Sequence, residues 1–147
     1  MSTQTLMIPG GATRERSWLV HGLLGAALAA ASNTVIYVTY LLIVGSPLRA
    51  SMIAGAPSQV LTLRHVILAG VVPGVVATLY GALLSRWNSE PRRWFLGIGL
   101  IVGLTSVIVP LNQPGAGSNQ LVLALMYLVT TVAVVGAILP RVPTQRE

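Results

Sequence analysis

Few residues of this 147-residue chain have side chains suited to catalysis or metal binding. The three carboxylates, Glu15, Glu90 and Glu147, all lie in polar segments outside the long apolar runs. His21 and His65 lie at opposite ends of their runs, too far apart to share a metal ion. Cysteine is absent, which excludes disulfides and thiolate chemistry. We therefore expect no enzyme activity, no cofactor and no metal site.

A second group consists of uncharged polar side chains within apolar sequence. Asn33 falls in the middle of a run, where an unpaired amide costs several kcal/mol, about 2–7 on transfer scales. Helical spacing places Tyr37 and Tyr40 on the same face as Asn33. One hypothesis is an outer-facing polar pocket for a small amphipathic ligand, and the simpler one is hydrogen bonding between helices. The candidate residues are Asn33, Tyr37, Tyr40, Tyr127, Thr130 and Thr131.

Four apolar runs must position these residues. They cover about residues 18–44, 60–87, 94–111 and 121–139. Hydrophobic residues make up 54% of the chain and charged residues 8%, whereas soluble domains carry about 25% charged residues. Since about 20 apolar residues cross a bilayer, the sequence predicts an all-α, four-transmembrane-helix bundle over 17–140. Polar tails are predicted at 1–16 and 141–147.

The first run has an alternative interpretation as a secretory signal. Arg14 and Arg16 precede an apolar stretch, and Ala29 and Ala31 form the A-x-A arrangement of a cleavage site. The apolar sequence nevertheless continues to Val44, well beyond a signal peptide, so a retained helix is favoured.

The arginines predict the orientation. The tails and the middle loop hold seven of them, and the opposite side of the membrane holds two. The positive-inside rule therefore predicts that both termini are cytoplasmic (N-in/C-in) in a multi-pass protein of the cytoplasmic membrane. Trp18, Trp87 and Trp94 fall at the same boundary, as interfacial tryptophans do. The seven are Arg14, Arg16, Arg86, Arg92, Arg93, Arg141 and Arg146, against Arg49 and Arg64.

The net charge of +6 could indicate nucleic-acid binding, but the arginines are spread between the apolar runs rather than clustered on one face. We expect the lipid bilayer as a partner, with a second copy or another membrane protein as further candidates, and no nucleic acid. Arg86, Arg92 and Arg93 could bind lipid phosphate. A purely topogenic role is the simpler explanation of this loop.

Small residues at helical spacing predict how the helices pack, because close backbone approach drives association in lipid. The second run has a small-residue face, the third has a glycine pair, and the first has a stripe from Gly22 through Ala26 and Ala29 to the polar residues. The predicted packing residues of the second and third runs are Gly70, Gly74, Ala77, Gly81, Gly99 and Gly103.

The segment from Leu121 to Val129, running on to Ile138-Leu139-Pro140, resembles the last helix of an uncharacterised family of small four-helix bacterial membrane proteins. Leu83-Leu84 before Arg86 and the aromatic opening at Trp94 are also similar. The resemblance covers about residues 60–141 and implies the architecture, with no assigned activity. Relatives tend to have His where this chain has Tyr127.

No Asp, Glu, Lys or Arg lies within a predicted crossing. Proton-coupled transporters keep an ionisable group in the membrane, so small multidrug exporters are disfavoured. We expect a structural or accessory membrane component without catalysis. The alternative is a carrier or binding protein for a small amphipathic molecule or lipid, using the outer-half pocket around Asn33 and Tyr127.

Overall fold

The protein consists of four long helices, with a short antiparallel β-ladder between the first two. The computed structural model describes residues 11–51, 57–112 and 117–142, with side chains from residue 19 onward. Helix α1 spans Gly11–Val44, α2 Leu63–Trp87, α3 Pro91–Leu111 and α4 Gly117–Ile138, and a 3-10 turn covers Leu139–Arg141. Strand β1 (Arg49–Ala50) pairs with β2 (Gln59–Val60).

All four helices are long and apolar enough to cross a membrane, which confirms the predicted all-α, four-helix membrane fold. Large apolar side chains cover the outside of the helices, and Leu42 and Ile43 are 81% and 78% exposed. Such a surface suits a lipid environment, because exposing hydrocarbon side chains to lipid tails has almost no free-energy cost. Lipid is therefore the main solvent of the described helices.

The first two helices begin at different residues from those predicted. Helix α1 begins at Gly11, within the segment predicted as a polar tail, because Ala, Arg and Glu continue a helix beyond the apolar span. Helix α2 begins at Leu63 rather than near 60, because Gln59–Val60 pairs with β1 instead. Residues 1–10 and 143–147 of the predicted tails lie outside the described residues.

The last two helices also start earlier than predicted. Helix α3 starts at Pro91 rather than Trp94, and proline suits a first helical position because no N–H is needed there. Helix α4 starts at Gly117 rather than Leu121. Helix α2 continues through Pro73, although proline has no N–H to donate to the helix.

The helices pack in a defined order. Helix α1 lies against both α2 and α4, and α4 also lies against α3. Helices α2 and α3 are in much less contact with each other. Between them, the rings of Tyr80 and Phe95 stack at a centroid distance of 6.3 Å. The α2–α3 edge of the bundle is therefore the least closed.

The α1–α2 interface is built on small residues. A Cβ added at Gly70 would lie 2.5 Å from the backbone N of Ala30, and one added at Gly74 would lie 2.5 Å from Cβ of Ala26. Gly70, Gly74 and Gly81 are buried in α2, and the half-buried Ala77 packs beside the core. The two backbones therefore touch where no side chain separates them.

A second small-residue contact joins α3 to α4. A Cβ at Gly99 would lie 3.2 Å from Cγ2 of Val135. One at Gly103 would overlap the side chain of Thr131. The glycine pair of the third run therefore faces α4.

The two ends of the bundle have separate apolar cores. The terminal end holds the α2–α3 turn and a hydrogen bond of 3.0 Å from Arg141 Nε to His21 Nε2, which joins the start of the first span to the end of the last. Its core contains Ala29, Phe95, Val134, Ile138 and Val142. The ladder end holds β1 and β2, and its core contains Tyr37, Tyr40, Leu48, Val66, Leu123 and Met126.

Candidate functional site

The candidate site is centred on Asn33, within the apolar span of α1. Its side chain is 1% exposed, and Nδ2 donates a hydrogen bond of 2.8 Å to Oγ1 of Thr130 in α4. Asn33 is enclosed because it continues the face of α1 that buries Ala29 one turn earlier. The pair thus links α1 to α4 between the two apolar cores.

The second polar atom of Asn33 has no such partner. Its Oδ1 is buried and accepts no hydrogen bond within the described part of the chain. Leaving a buried acceptor unpaired costs about 1–3 kcal/mol. Asn33 therefore presents one unused acceptor to any hydroxyl or amide donor that reaches it.

The two tyrosines of α1 bond elsewhere, at the ladder end. The hydroxyl of Tyr37 donates to the carbonyl of Leu61 at 2.8 Å. The hydroxyl of Tyr40 donates to Oδ1 of Asn119 at 2.6 Å. The backbone N–H of Leu61 in turn donates to the carbonyl of Leu48, which is fully buried. These bonds hold the β-ladder and the start of α4 against α1.

Tyr127 and Thr131 lie apart from Asn33. Tyr127 is 40% exposed. Oγ1 of Thr131 donates to the carbonyl of Tyr127 in its own helix, while its side chain meets Gly103 of α3. Consecutive helical residues point about 100° apart, so Thr130 faces α1 while Thr131 faces α3. Of the six residues of the pocket hypothesis, Asn33 therefore pairs with Thr130, Tyr37 and Tyr40 bond at the ladder end, and Tyr127 and Thr131 lie on other faces of α4.

Tyr127 is more exposed than the residues that follow it on the same face of α4. Val134 and Ile138 follow Tyr127 along α4 and point within about 20° of its direction. Both are buried, at 4% and 1% exposure, in the core that contains Phe95 and Tyr80. Tyr127 does not belong to this core. Tyr127 is therefore less covered by the rest of the bundle than Val134 and Ile138 on the same face of α4.

The basic residues of the middle loop lie at the terminal end. Arg86 is in the last turn of α2, and Arg92 and Arg93 are in the first turn of α3. Nη1 of Arg93 lies 3.4 Å from Oε2 of Glu90. Trp87 and Trp94 are 79% and 55% exposed. The side chain of Trp18 lies outside the described side chains.

Several contacts were not predicted from the sequence. The bond from Arg141 to His21 and the bond from Tyr40 to Asn119 each join residues distant along the chain. Thr62 was also missed, although its backbone N–H donates to Nδ1 of His65 at 3.3 Å at the start of α2. A threonine three residues before a polar side chain is a usable local signal for a helix start. The two long-range bonds have no such signal.

Metal-ligating side chains do not cluster within the described ranges, where no group of three or more His, Cys, Asp or Glu residues could hold an ion.

Comparison with protein families gives one match that covers most of the chain. Residues 13–144 match a family described as a family of unknown function, DUF6069. This match extends further toward the N-terminus than the similarity that the sequence indicated over 60–141, and it confirms the resemblance to an uncharacterised family. The curated proteins and the solved structures give no match.

Proposed function

We propose that this chain, which belongs to the DUF6069 family of unknown function, is a non-enzymatic structural or accessory component of a membrane. The observation that supports this proposal best is the set of hydrogen bonds that the polar residues of α1 make to other segments. Asn33, Tyr37 and Tyr40 each bond a different neighbouring segment, at 2.8, 2.8 and 2.6 Å. The polar side chains of this span thus serve to hold helices and connections together.

A carrier or binding function for a small amphipathic molecule or lipid is the second candidate. Two observations favour it: the unpaired Oδ1 of Asn33 and the 40% exposure of Tyr127. The ligand would be uncharged, with a hydroxyl or amide donor on an apolar body, because Asn33 offers an acceptor within an apolar span that contains no charged side chain.

The variant Asn33→Leu separates these two functions. If Asn33 has only a structural role, the substitution removes one interhelical hydrogen bond and one unpaired acceptor. The free energy of unfolding should then change by about 1 kcal/mol or less. Any assembly with a second copy or another membrane protein should persist in native mass spectrometry. Under the carrier function, a copurifying lipid or amphiphile should disappear from the variant while the fold survives.

The control is Thr34→Val, since Thr34 bonds the carbonyl of Ala30 in its own helix. It should affect neither assembly nor bound amphiphile. An Asn33→Leu protein that loses its assembly but no ligand, with unchanged stability, would contradict both functions.

We also propose that both termini are cytoplasmic. The terminal end carries Arg86, Arg92, Arg93 and Arg141, whereas Arg49 and Arg64 adjoin the β-ladder. This asymmetry supports the orientation that the positive-inside rule predicts. Retention of α1 is supported by Ala29, which is 0% exposed at the centre of the bundle.

Reporter fusions test the orientation. Alkaline phosphatase attached after Glu147 should be inactive, and a fluorescent protein at the same place should fold. Phosphatase inserted after Ser51, in the ladder connection, should be active. Active phosphatase at the C-terminus would reverse the orientation, and a mature protein that starts near Ser32 would show that α1 is a cleaved signal.

A further inference from the structure

We propose that the α2–α3 turn binds the phosphate headgroup of anionic phospholipids. The site consists of Arg86, Arg92 and Arg93, with Trp87 and Trp94 beside them. This inference is independent of the structural function proposed above, and it holds for either orientation of the protein. It rests on the way the turn is anchored, on its charge and on its position at the end of the membrane spans.

The anchoring of α3 directs its basic residues away from the bundle. Pro91 and Phe95 are both fully buried, and residues four apart share one face of a helix. Arg92, Arg93 and Trp94 lie between these two fixed positions, and all three are exposed. Packing of the first turn of α3 on Pro91 and Phe95 therefore leaves the two arginines and the tryptophan on the exposed sides of the helix.

Hydrogen bonds fix the turn itself. The backbone N–H of Asn88 donates to the carbonyl of Leu84 at 2.9 Å. The Asn88 side chain then accepts from the backbone N–H of Glu90 at 3.1 Å. The end of α2, with Arg86 and Trp87, is thus held next to the start of α3. A site formed on a fixed turn needs little ordering when a headgroup binds.

The charge of the turn favours an anion. The turn carries three arginines and a single carboxylate, Glu90, which lies 3.4 Å from Arg93. Side chains of this pair are 85% and 49% exposed, so solvent screens the attraction and a phosphate can compete for Arg93. Guanidinium groups bind phosphate oxygens in a bidentate manner. Arg92 would provide the main contact, with Arg86 and Arg93 adding to the positive charge of the site.

The position of the turn selects a lipid phosphate over a soluble one. Trp87 and Trp94 are strongly exposed at the ends of two membrane spans, where tryptophan lies at headgroup level. Leu83 of α2 and Leu96 of α3 lie on the membrane side of the turn, and their side chains are 45% and 39% exposed. An acyl chain can therefore lie along these leucines while its phosphate meets the arginines.

Native mass spectrometry of the full chain, released from nanodiscs with equal amounts of phosphatidylglycerol and phosphatidylcholine of matched acyl chains, tests the proposal. The wild-type protein should retain phosphatidylglycerol preferentially. A basic residue near an anionic surface contributes about 1 kcal/mol, or about a fivefold preference. Arg92→Gln should therefore lower the preference about three- to fivefold, and Arg86→Gln with Arg92→Gln should lower it further.

Two further variants keep the proposal falsifiable if the double variant fails to fold. Glu90→Gln releases Arg93 and should raise the phosphatidylglycerol preference, a direction that mere damage to the turn would not give. Arg49→Gln with Arg64→Gln, at the ladder end, should leave the preference within about twofold. An unchanged preference in folded Arg92→Gln, or a lowered one in Glu90→Gln, would overturn the proposal.

Discussion

The two halves of the apolar span of α1 hold their neighbours by different means. From Gly22 to Ala30, small residues let α1 and α2 touch backbone to backbone, and a single Cβ at Gly70 or Gly74 would collide with α1. From Asn33 to Tyr40, polar side chains reach across to α4 and to the segment before α2. In lipid, where burial of apolar groups does not favour association, these are the two available devices.

The two devices should differ in their tolerance of change. A backbone contact has no rotatable group to move aside, so an added atom separates the helices along the whole interface. A hydrogen bond between side chains in a membrane contributes about 0.6 kcal/mol on average and about 1.7 at most. Substitutions in the first half should therefore have larger effects than substitutions in the second.

The largest effect is expected from Gly74→Leu. The new side chain would start 2.5 Å from Cβ and 2.8 Å from Cα of Ala26, so the free energy of unfolding should fall by about 1–3 kcal/mol. Reversible unfolding in mixed micelles measures this change. Val76→Leu is the control, because Val76 is 58% exposed to the lipid side. Equal stability of the two variants would refute the α1–α2 interface.

Glycine-to-alanine substitutions test the same α1–α2 backbone contact with a smaller added group. At Gly70 the added Cβ would meet backbone atoms of Ala30 at 2.5 and 2.7 Å, whereas at Gly136 it would meet nothing within 4 Å. Gly70→Ala should therefore destabilise by about 1–3 kcal/mol. Gly136→Ala should be neutral or should stabilise by up to about 1 kcal/mol, since alanine is the better helix former. A similar rise in the unfolding midpoint for both variants would show that helix propensity alone decides.

The smallest effect is expected in the second half, from Tyr40→Phe. It removes the hydroxyl that donates to Asn119 at 2.6 Å and keeps the ring in place. The loss should be about 0.6 kcal/mol, below that of either glycine variant. A double-mutant cycle with Asn119→Ala isolates the bond, because Tyr40→Phe should then cost almost nothing more. The same loss in both backgrounds would mean that the hydroxyl acts elsewhere.

Much of the fold follows from local patterns. The four spans are predicted by the length of their apolar runs, and the face of α1 from Gly22 to Tyr40 follows from helical spacing. The glycine faces of α2 and α3 are likewise visible as repeats of three and four. Helix starts are less well predicted, because a turn such as Asn88 to Glu90 or the β1–β2 pairing competes with the helix for the same residues.

The candidate site was less predictable than the fold. Asn33 and Thr130 were both selected, but so were Tyr127, which is 40% exposed, and Thr131, which meets Gly103 of α3. All four are polar residues at similar predicted depth. Nothing in the spacing within α4 states which of its faces meets α1 and which meets α3.

The sequence by itself determined that the chain forms four apolar helices and which side of each can approach another backbone. These properties depend on residues within one helix, where 3.6-residue periodicity fixes the geometry. Only the tertiary structure decided that Gly70 meets Ala30, that Thr130 rather than Thr131 meets Asn33, and that Tyr40 reaches Asn119. Lipid solvates every apolar helix face equally well, so hydrophobicity does not select which helices pack together. That choice depends on shape and on hydrogen bonding between distant segments.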